Sequence, residues 1–297
     1  MQNIDIVLSE GIHRVPLPDP DAEWSAGYRW GDASFLLTPS WIAKHTHMRW
    51  RIGTYSQVFG GVRWNLAEEV VFCILSGFGI RAEVAEAALS HLQRAGLFQQ
   101  PFSVEEIERL LREPLQLGSG KRAKYRFPQK RAQYIHGALE RLSDVQEVAG
   151  DLELRDRLLA IRGVGPKTAS FIVRNLLGSD KVAILDVHVL RACKIARIFP
   201  PRFDLAKDYG RLERRFLDFA DAAGVPASIL DATIWEMARD LSPSSLAAAD
   251  RMNRGLAASE GLPVPTYDPS SIIDEFVILE GGSSDRGKKG LPVGRLA

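Results

Sequence analysis

The residues best suited to chemistry fall in one stretch, Leu158–Arg191, which reads LLAIRGVGPKTASFIVRNLLGSDKVAILDVHVLR. Lys167 supplies an amine, a nucleophile toward electrophilic carbon once it is neutral. Asp186 follows 19 residues later and supplies a carboxylate able to stabilise positive charge developing at a reacting centre. Just ahead of the lysine, Gly163-Val164-Gly165 predicts a tight turn between two helices, because paired glycines permit positive φ and close backbone approach. Such a turn offers N–H groups and a helix N-terminus to a phosphate. Without a Cβ, the glycines also let a nucleic-acid backbone come near without a clash.

Placing these groups requires a particular order of elements. A helix ends near Ile161, and Val164 points inward to pin it to the next. Pro166 suits the first turn of that second helix, which runs from about Lys167 to Leu176. Gly178–Asp180 forms a loop and Val182–Leu185 a short apolar stretch. Asp186 then opens another helix, where a carboxylate is a favoured cap. This return path can bring the acid back toward the lysine.

The surrounding chain from Asn65 to about Leu241 has helical periodicity. Ala67–Leu75 is an apolar segment that runs into Gly77 and Gly79. Ser103 and Glu106 have capping-box spacing, followed by Ile107, Leu110 and Leu111 on one face. Ala132, Ile135, Leu139 and Leu142 form a stripe, as do Leu154, Leu158 and Leu159. Tyr209, Leu212, Phe216, Phe219 and Ala223 form another, stopped by Gly224. Pro226 is placed to open a helix carrying Ile229, Trp235 and Met237. No alternation of period two stands out, so the body reads as all-helical. The first 64 residues differ. They hold Trp24, Trp30, Trp41, Trp50 and Trp64, five of the chain's six tryptophans, and Pro16, Pro18 and Pro20 interrupt any helix there. That segment reads as irregular, with short strands near Ile4–Leu8 and Phe35–Thr38, and its aromatics read as core packing.

With 38 Lys+Arg against 37 Asp+Glu, the 297-residue chain has a net charge of +1, which excludes a uniformly basic coat but not a basic face. Lys121–Arg131 (KRAKYRFPQKR) has six basic residues and no acid. Arg155–Arg202 has ten basic residues and three acidic ones. Concentrated positive charge beside a phosphate-binding turn is the electrostatic footprint of nucleic-acid binding. Cys73 and Cys193, 120 positions apart, argue against a disulfide framework. They also fall short of the about four thiolates of an all-cysteine zinc or iron–sulfur site. They read as small core residues. His45 and His47 have no third ligand nearby in sequence and read as surface or core histidines, so no metal is expected. Met1–Asp5 lacks the start of a signal peptide, and no apolar run approaches the ~18 residues of a membrane span. The expectation is a cytoplasmic protein without membrane association.

GVGPKTA followed by VAILDVH resembles the helix-hairpin-helix DNA glycosylase superfamily. Members carry a hairpin of this form, a lysine directly after it in the bifunctional enzymes, and an aspartate at about this distance. Within that superfamily, KTASFIVRN and AILDVHVLR are most similar to the 8-oxoguanine DNA glycosylases, especially their shorter prokaryotic branches, as are YRFPQKRAQYI (Tyr125–Ile135) and LDATIWEMA (Leu230–Ala238). The absence of a four-cysteine cluster separates the chain from the endonuclease III and adenine-mismatch branches that carry one.

The resemblance implies a mainly α, two-lobed glycosylase fold with an irregular N-terminal extension. Double-stranded DNA with a damaged base would lie across the cleft. Lys167 would attack C1′ of the everted nucleotide and form a Schiff base, leading to β-elimination of the 3′ phosphate. The attacking amine must be neutral, a form that burial and the positive end of its own helix both favour. Asp186 would stabilise the oxocarbenium-like charge. Gly163, Val164 and Gly165 would grip the backbone, where family hairpins commonly bind a monovalent cation through carbonyl oxygens. His188 matches a position that helps hold a phosphate, although a structural role fits it equally well. Phe171 matches a position near the base pocket. The expected organisation is an aromatic-rich segment 1–64, a helical body 65–250 with the hairpin at 159–176, a C-terminal extension 251–280, and a flexible tail 281–297 holding five glycines and four basic residues. The expected activity is excision of an oxidised purine, 8-oxoguanine first, by a monomer associated with the nucleoid. Two alternatives stay open: a glycosylase for another modified base, and a non-catalytic DNA-binding module, since ligases, nucleases and polymerases use similar hairpins without this lysine and aspartate.

Overall fold

The computed structural model describes residues 1–53, 64–77, 79–142, 145 and 150–257. The expected tail 281–297 and all of the C-terminal extension beyond residue 257 lie outside the described residues. Two hydrophobic cores organise the molecule, and the chain passes from one to the other between Val182 and Ala183.

The helical core is built first. Helix α2 (Leu66–Leu75) starts from Asn65, whose side chain accepts Glu68 N while Glu68 reaches back to Asn65 N. Helices α3 (Ala82–Arg94), α4 (Val104–Arg112), α5 (Pro128–Arg141), α6 (Asp151–Leu158) and α7 (Pro166–Leu177) follow. The expected capping box at Ser103 and Glu106 opens α4, and Ile107, Leu110 and Leu111 bury as one face. One departure from an all-helical body is a small antiparallel pairing of β5 (Leu115–Gln116) with β6 (Arg122–Ala123). Strands of two residues are too short to show a period in sequence.

The second core joins α8 (Val187–Ile195), α9 (Leu205–Ala223), α10 (Ala227–Arg239) and α11 (Pro243–Asn253) to the N-terminal segment. Phe216 and Phe219 are fully buried on α9, each contributing roughly 1.5–3 kcal/mol through lost apolar exposure. Gly224 ends α9 in the left-handed conformation, φ 64°.

The N-terminal segment is more regular than its composition suggests. β1 (Gln2–Leu8) and β2 (Gly11–Leu17) form an antiparallel hairpin in register Ile4↔Val15 and Ile6↔His13. Strand β2 tolerates Pro16 because a two-stranded hairpin leaves an edge with no ladder bond to lose. A second small hairpin pairs β3 (Glu23–Ser25) with β4 (Tyr28–Arg29). The expected strand at Phe35–Thr38 is instead a pair of turns, with Phe35 N bonded to Asp32 O and Thr38 N to Phe35 O. Thr38 is committed to capping α1 (Pro39–Ile52), accepting Trp41 N at 3.0 Å, with Pro39 at the first helical position. That helix corrects the expectation of irregular chain up to residue 64. It packs on α10, where Arg49 pairs with Glu236. The aromatics serve packing as expected: Trp24 and Trp30 lie 5.2 and 5.7 Å from the Phe219 ring. Trp50 is the exception at 42% exposure.

Candidate active site between the two cores

The hairpin forms as the glycines require. Val164 N bonds Ile161 O at 3.0 Å, and the Val164 side chain is buried in the helical core. Gly163 takes φ +94°, with the Tyr134 ring against the face where a Cβ would project. Gly165 is the N-cap of α7 and, lacking a side chain, contributes no side-chain cap.

Lys167 stands in that first turn, half-buried. It lines a cleft of about 240 Å³ together with Gly163, Val164, Gly165 and Tyr134 on one side and Leu185 and Tyr209 on the other. The two sides belong to different cores. This volume is below the ~300 Å³ lower end of small-molecule pockets.

Asp186 follows Leu185 directly. Its Oδ1 accepts His188 N at 2.9 Å and Val189 N at 2.8 Å, capping α8 as predicted. The second carboxylate oxygen takes no part in the cap. Asp186 is not itself part of the wall of the cleft that Lys167 lines; its neighbour Leu185 is. His188 is half-buried, and its Nδ1 is buried without a hydrogen-bond partner. Burial holds this imidazole below its usual range, against the upward pull of Asp186. Phe171 sits one turn beyond Lys167, packed against the helical core with the Arg174 guanidinium 5.2 Å from its ring, and is not on the cleft wall either.

Several residues of consequence carry no local sequence signal. Trp235 is 38% exposed, with the His188 ring edge-on at 6.5 Å and the Arg239 guanidinium 4.6 Å from its centroid. Glu213, Asp231 and Tyr209 hold the backbone that leads to Asp186. Only the resemblance of LDATIWEMA, which contains Asp231 and Trp235, pointed toward two of them. Cys73 lines the cleft, is buried, and donates to Glu69 Oε1 at 3.6 Å; burial pushes its thiol up. His47 is spent on Ala223 O at 2.9 Å, and the His45 ring lies tilted at 4.3 Å from that of Trp41. The basic run exposes Lys121, Arg122, Lys124 and Arg126, whereas Arg131 turns inward.

A helical protein whose two cores meet at a glycine hairpin, with a lysine two residues past it, has the architecture of the helix-hairpin-helix DNA glycosylases. Residues 50–225, more than half of the chain, match the family described as 8-oxoguanine DNA glycosylase. The chain belongs to that family. It is 32% identical over 173 residues to the 8-oxoguanine DNA glycosylase/AP lyase of Metallosphaera sedula, covering 56% of this chain and 78% of the relative. A protein of the same description from Picrophilus torridus is 30% identical over 151 residues, covering 50% and 66% respectively. Among solved structures, the 8-oxoguanine DNA glycosylase of Thermotoga maritima superposes with a TM-score of 0.50 at 25% identity, covering 68% of this chain and 97% of that one. The 8-oxoguanine glycosylase/lyase of Methanocaldococcus jannaschii, in complex with a 15mer DNA containing 8-oxoguanine, gives 0.51 at 26% identity, covering 68% and 98%.

Proposed function

We infer that this chain excises 8-oxoguanine from double-stranded DNA and then cleaves the resulting abasic site, with Lys167 as the nucleophile and Asp186 as the stabilising carboxylate. The observation that carries the roles is the meeting of Lys167, two residues past the hairpin, with Leu185, one residue before Asp186, across a cleft between the cores. An everted nucleotide presents C1′ to the amine. The amine adds at C1′ as the base departs with the glycosidic electron pair, and Asp186 stabilises the positive charge on the sugar. Loss of a proton and opening of the sugar ring give the Schiff base, from which the 3′ phosphate leaves by β-elimination. Gly163, Val164 and Gly165 receive the DNA backbone, with His188 as a neutral donor nearby. A monovalent cation at the same turn belongs to this reading: the Leu158 and Ile161 carbonyls accept Ile161 N and Val164 N, and each oxygen keeps a second lone pair for it. Phe171, away from the cleft wall, would act on the base pocket only through its packing on α7. The protein works as a monomer on the nucleoid. Among the described residues no helix is long and apolar enough to cross a membrane.

The test is reductive trapping. With a duplex containing 8-oxoguanine and borohydride, the native chain forms a covalent complex. Lys167→Gln abolishes it, and Asp186→Asn slows base release. A lysine variant that still traps overturns the assignment. Robust excision of a different lesion, with none of 8-oxoguanine, replaces the substrate.

A further inference from the structure

The stretch Val182–Leu185 is buried, yet belongs to no helix and has no strand partner among the described residues. Buried backbone groups without a ladder must find other partners. Here they find side chains. Ala183 N donates to Glu213 Oε1 at 3.1 Å and Ile184 N to Asp231 Oδ2 at 3.2 Å. Ala183 O accepts the Tyr209 hydroxyl at 3.0 Å. Asp186 N then closes onto Ile184 O at 3.0 Å. The location of the Asp186 backbone is therefore set by carboxylates on α9 and α10.

Asp231 has a second role. Its Oδ1 pairs with Arg174, both side chains being almost fully buried at 1% and 6% exposure. Arg174 lies on α7, the helix that begins with Lys167. A spacing of seven residues puts the two on one face, two turns apart. Asn175, beside Arg174, anchors this part of α7 to Glu69 on α2 at 2.7 Å. A continuous bridge thus runs from the lysine's helix through Arg174 and Asp231 to Ile184 N and so to Asp186. A buried ion pair is weak evidence for stability, since an apolar pair of similar volume often holds as well. An apolar pair could not receive the Ile184 N–H.

We propose that the Arg174–Asp231 pair is a positioning device that fixes Asp186 relative to Lys167 for base release. This rests on the roles given above to those two residues. A displacement on the order of 1 Å at a reacting centre lowers a rate by about 100-fold, so a bridge of this kind acts on chemistry without touching the substrate.

The double variant Arg174→Met/Asp231→Leu tests it. Both members of the ion pair are removed together, so neither is left as an unpaired buried charge, but Ile184 N loses its acceptor. Single-turnover release of 8-oxoguanine is expected to fall by about 10- to 100-fold. Borohydride trapping on a duplex with a preformed abasic site, which needs the lysine but no base departure, is expected to stay within about threefold of the native chain. Asp186→Asn should show the same split. A second double variant, Arg174→Gln/Asp231→Asn, is neutral but keeps an oxygen for Ile184 N, and should recover most of the lost release. The proposal is overturned if the Met/Leu pair releases base at the native rate, if it loses release and trapping equally, or if the Gln/Asn pair is no better. Should Asp186→Asn release base normally, the catalytic reading itself is what fails.

Discussion

Tyr134 occupies the space that any side chain at Gly163 would need: a Cβ built there lies 2.5 Å from the ring carbon Cδ2. The same glycine has φ +94°, so Gly163→Ala meets both strain and a clash. A loss of about 1–3 kcal/mol is expected, read by chemical denaturation. Gly165 has ordinary φ, −92°, and nothing within 4 Å of a Cβ built on it. Gly165→Ala should leave stability within about 0.5 kcal/mol while weakening DNA binding, because under the proposed function the new methyl would meet the DNA backbone. Equal effects at the two glycines would remove the DNA from this hairpin.

Two tryptophans separate packing from recognition. Trp24 lies against Phe219 and under the Arg215 guanidinium, 4.7 Å from its ring. Trp24→Ala should destabilise the fold by about 3 kcal/mol and leave the trapping of folded protein unchanged. Trp235 is 38% exposed beside His188, and a partly exposed indole is a surface on which a nucleic-acid base can stack. Trp235→Ala should fold normally and lose about 1–3 kcal/mol of binding to lesion-bearing DNA, measured against undamaged duplex.

The exposed cations of the basic run predict a salt signature. Replacing Arg122 and Arg126 by alanine should weaken binding to all duplexes alike. For every phosphate that is no longer neutralised, the dependence of log K on log salt should flatten by about one. A titration at several salt concentrations reads this, and an unchanged slope would place the DNA elsewhere.

Acid should destabilise the fold through its histidines. Burial pushes His45 down to about 4, with Lys44 adding to the effect. It also lowers His47, against the Ala223 carbonyl, and His188, against Asp186. The folded chain keeps these rings neutral where the unfolded chain, near 6.5, already takes up protons. Their contribution is complete above pH 6.5 and is lost as pH falls toward 4. Asp231 works in the opposite sense. Burial raises its carboxyl from 3.8 to about 6 despite Arg174, so the folded state holds that proton better between those values. The expected result is a urea midpoint that drops between pH 6.5 and 5 and drops less in His47→Gln, which keeps a donor for Ala223 O. A midpoint that rises over this range would reverse the assignment of the buried rings.

Local rules made much of this protein legible in its amino acids. The hairpin, the start of α7 and the Asp186 cap depend on glycine φ, proline at a first turn and a carboxylate at an N-cap, all effects with a reach of three or four residues. The stripe ending at Gly224 is equally local. Tertiary structure alone decided the rest. It turned Phe35–Thr38 from an apparent strand into the turns before α1, because Thr38 had a helix to cap. It packed Trp24 and Trp30 against Phe219 and left Trp235 partly exposed, although all three are the same residue type. It also brought Glu213 and Asp231 to the stretch before Asp186, and Arg174 to Asp231. Those bonds span 30 to 57 residues, and a carboxylate destined for a buried N–H looks, along the chain, like one destined for water.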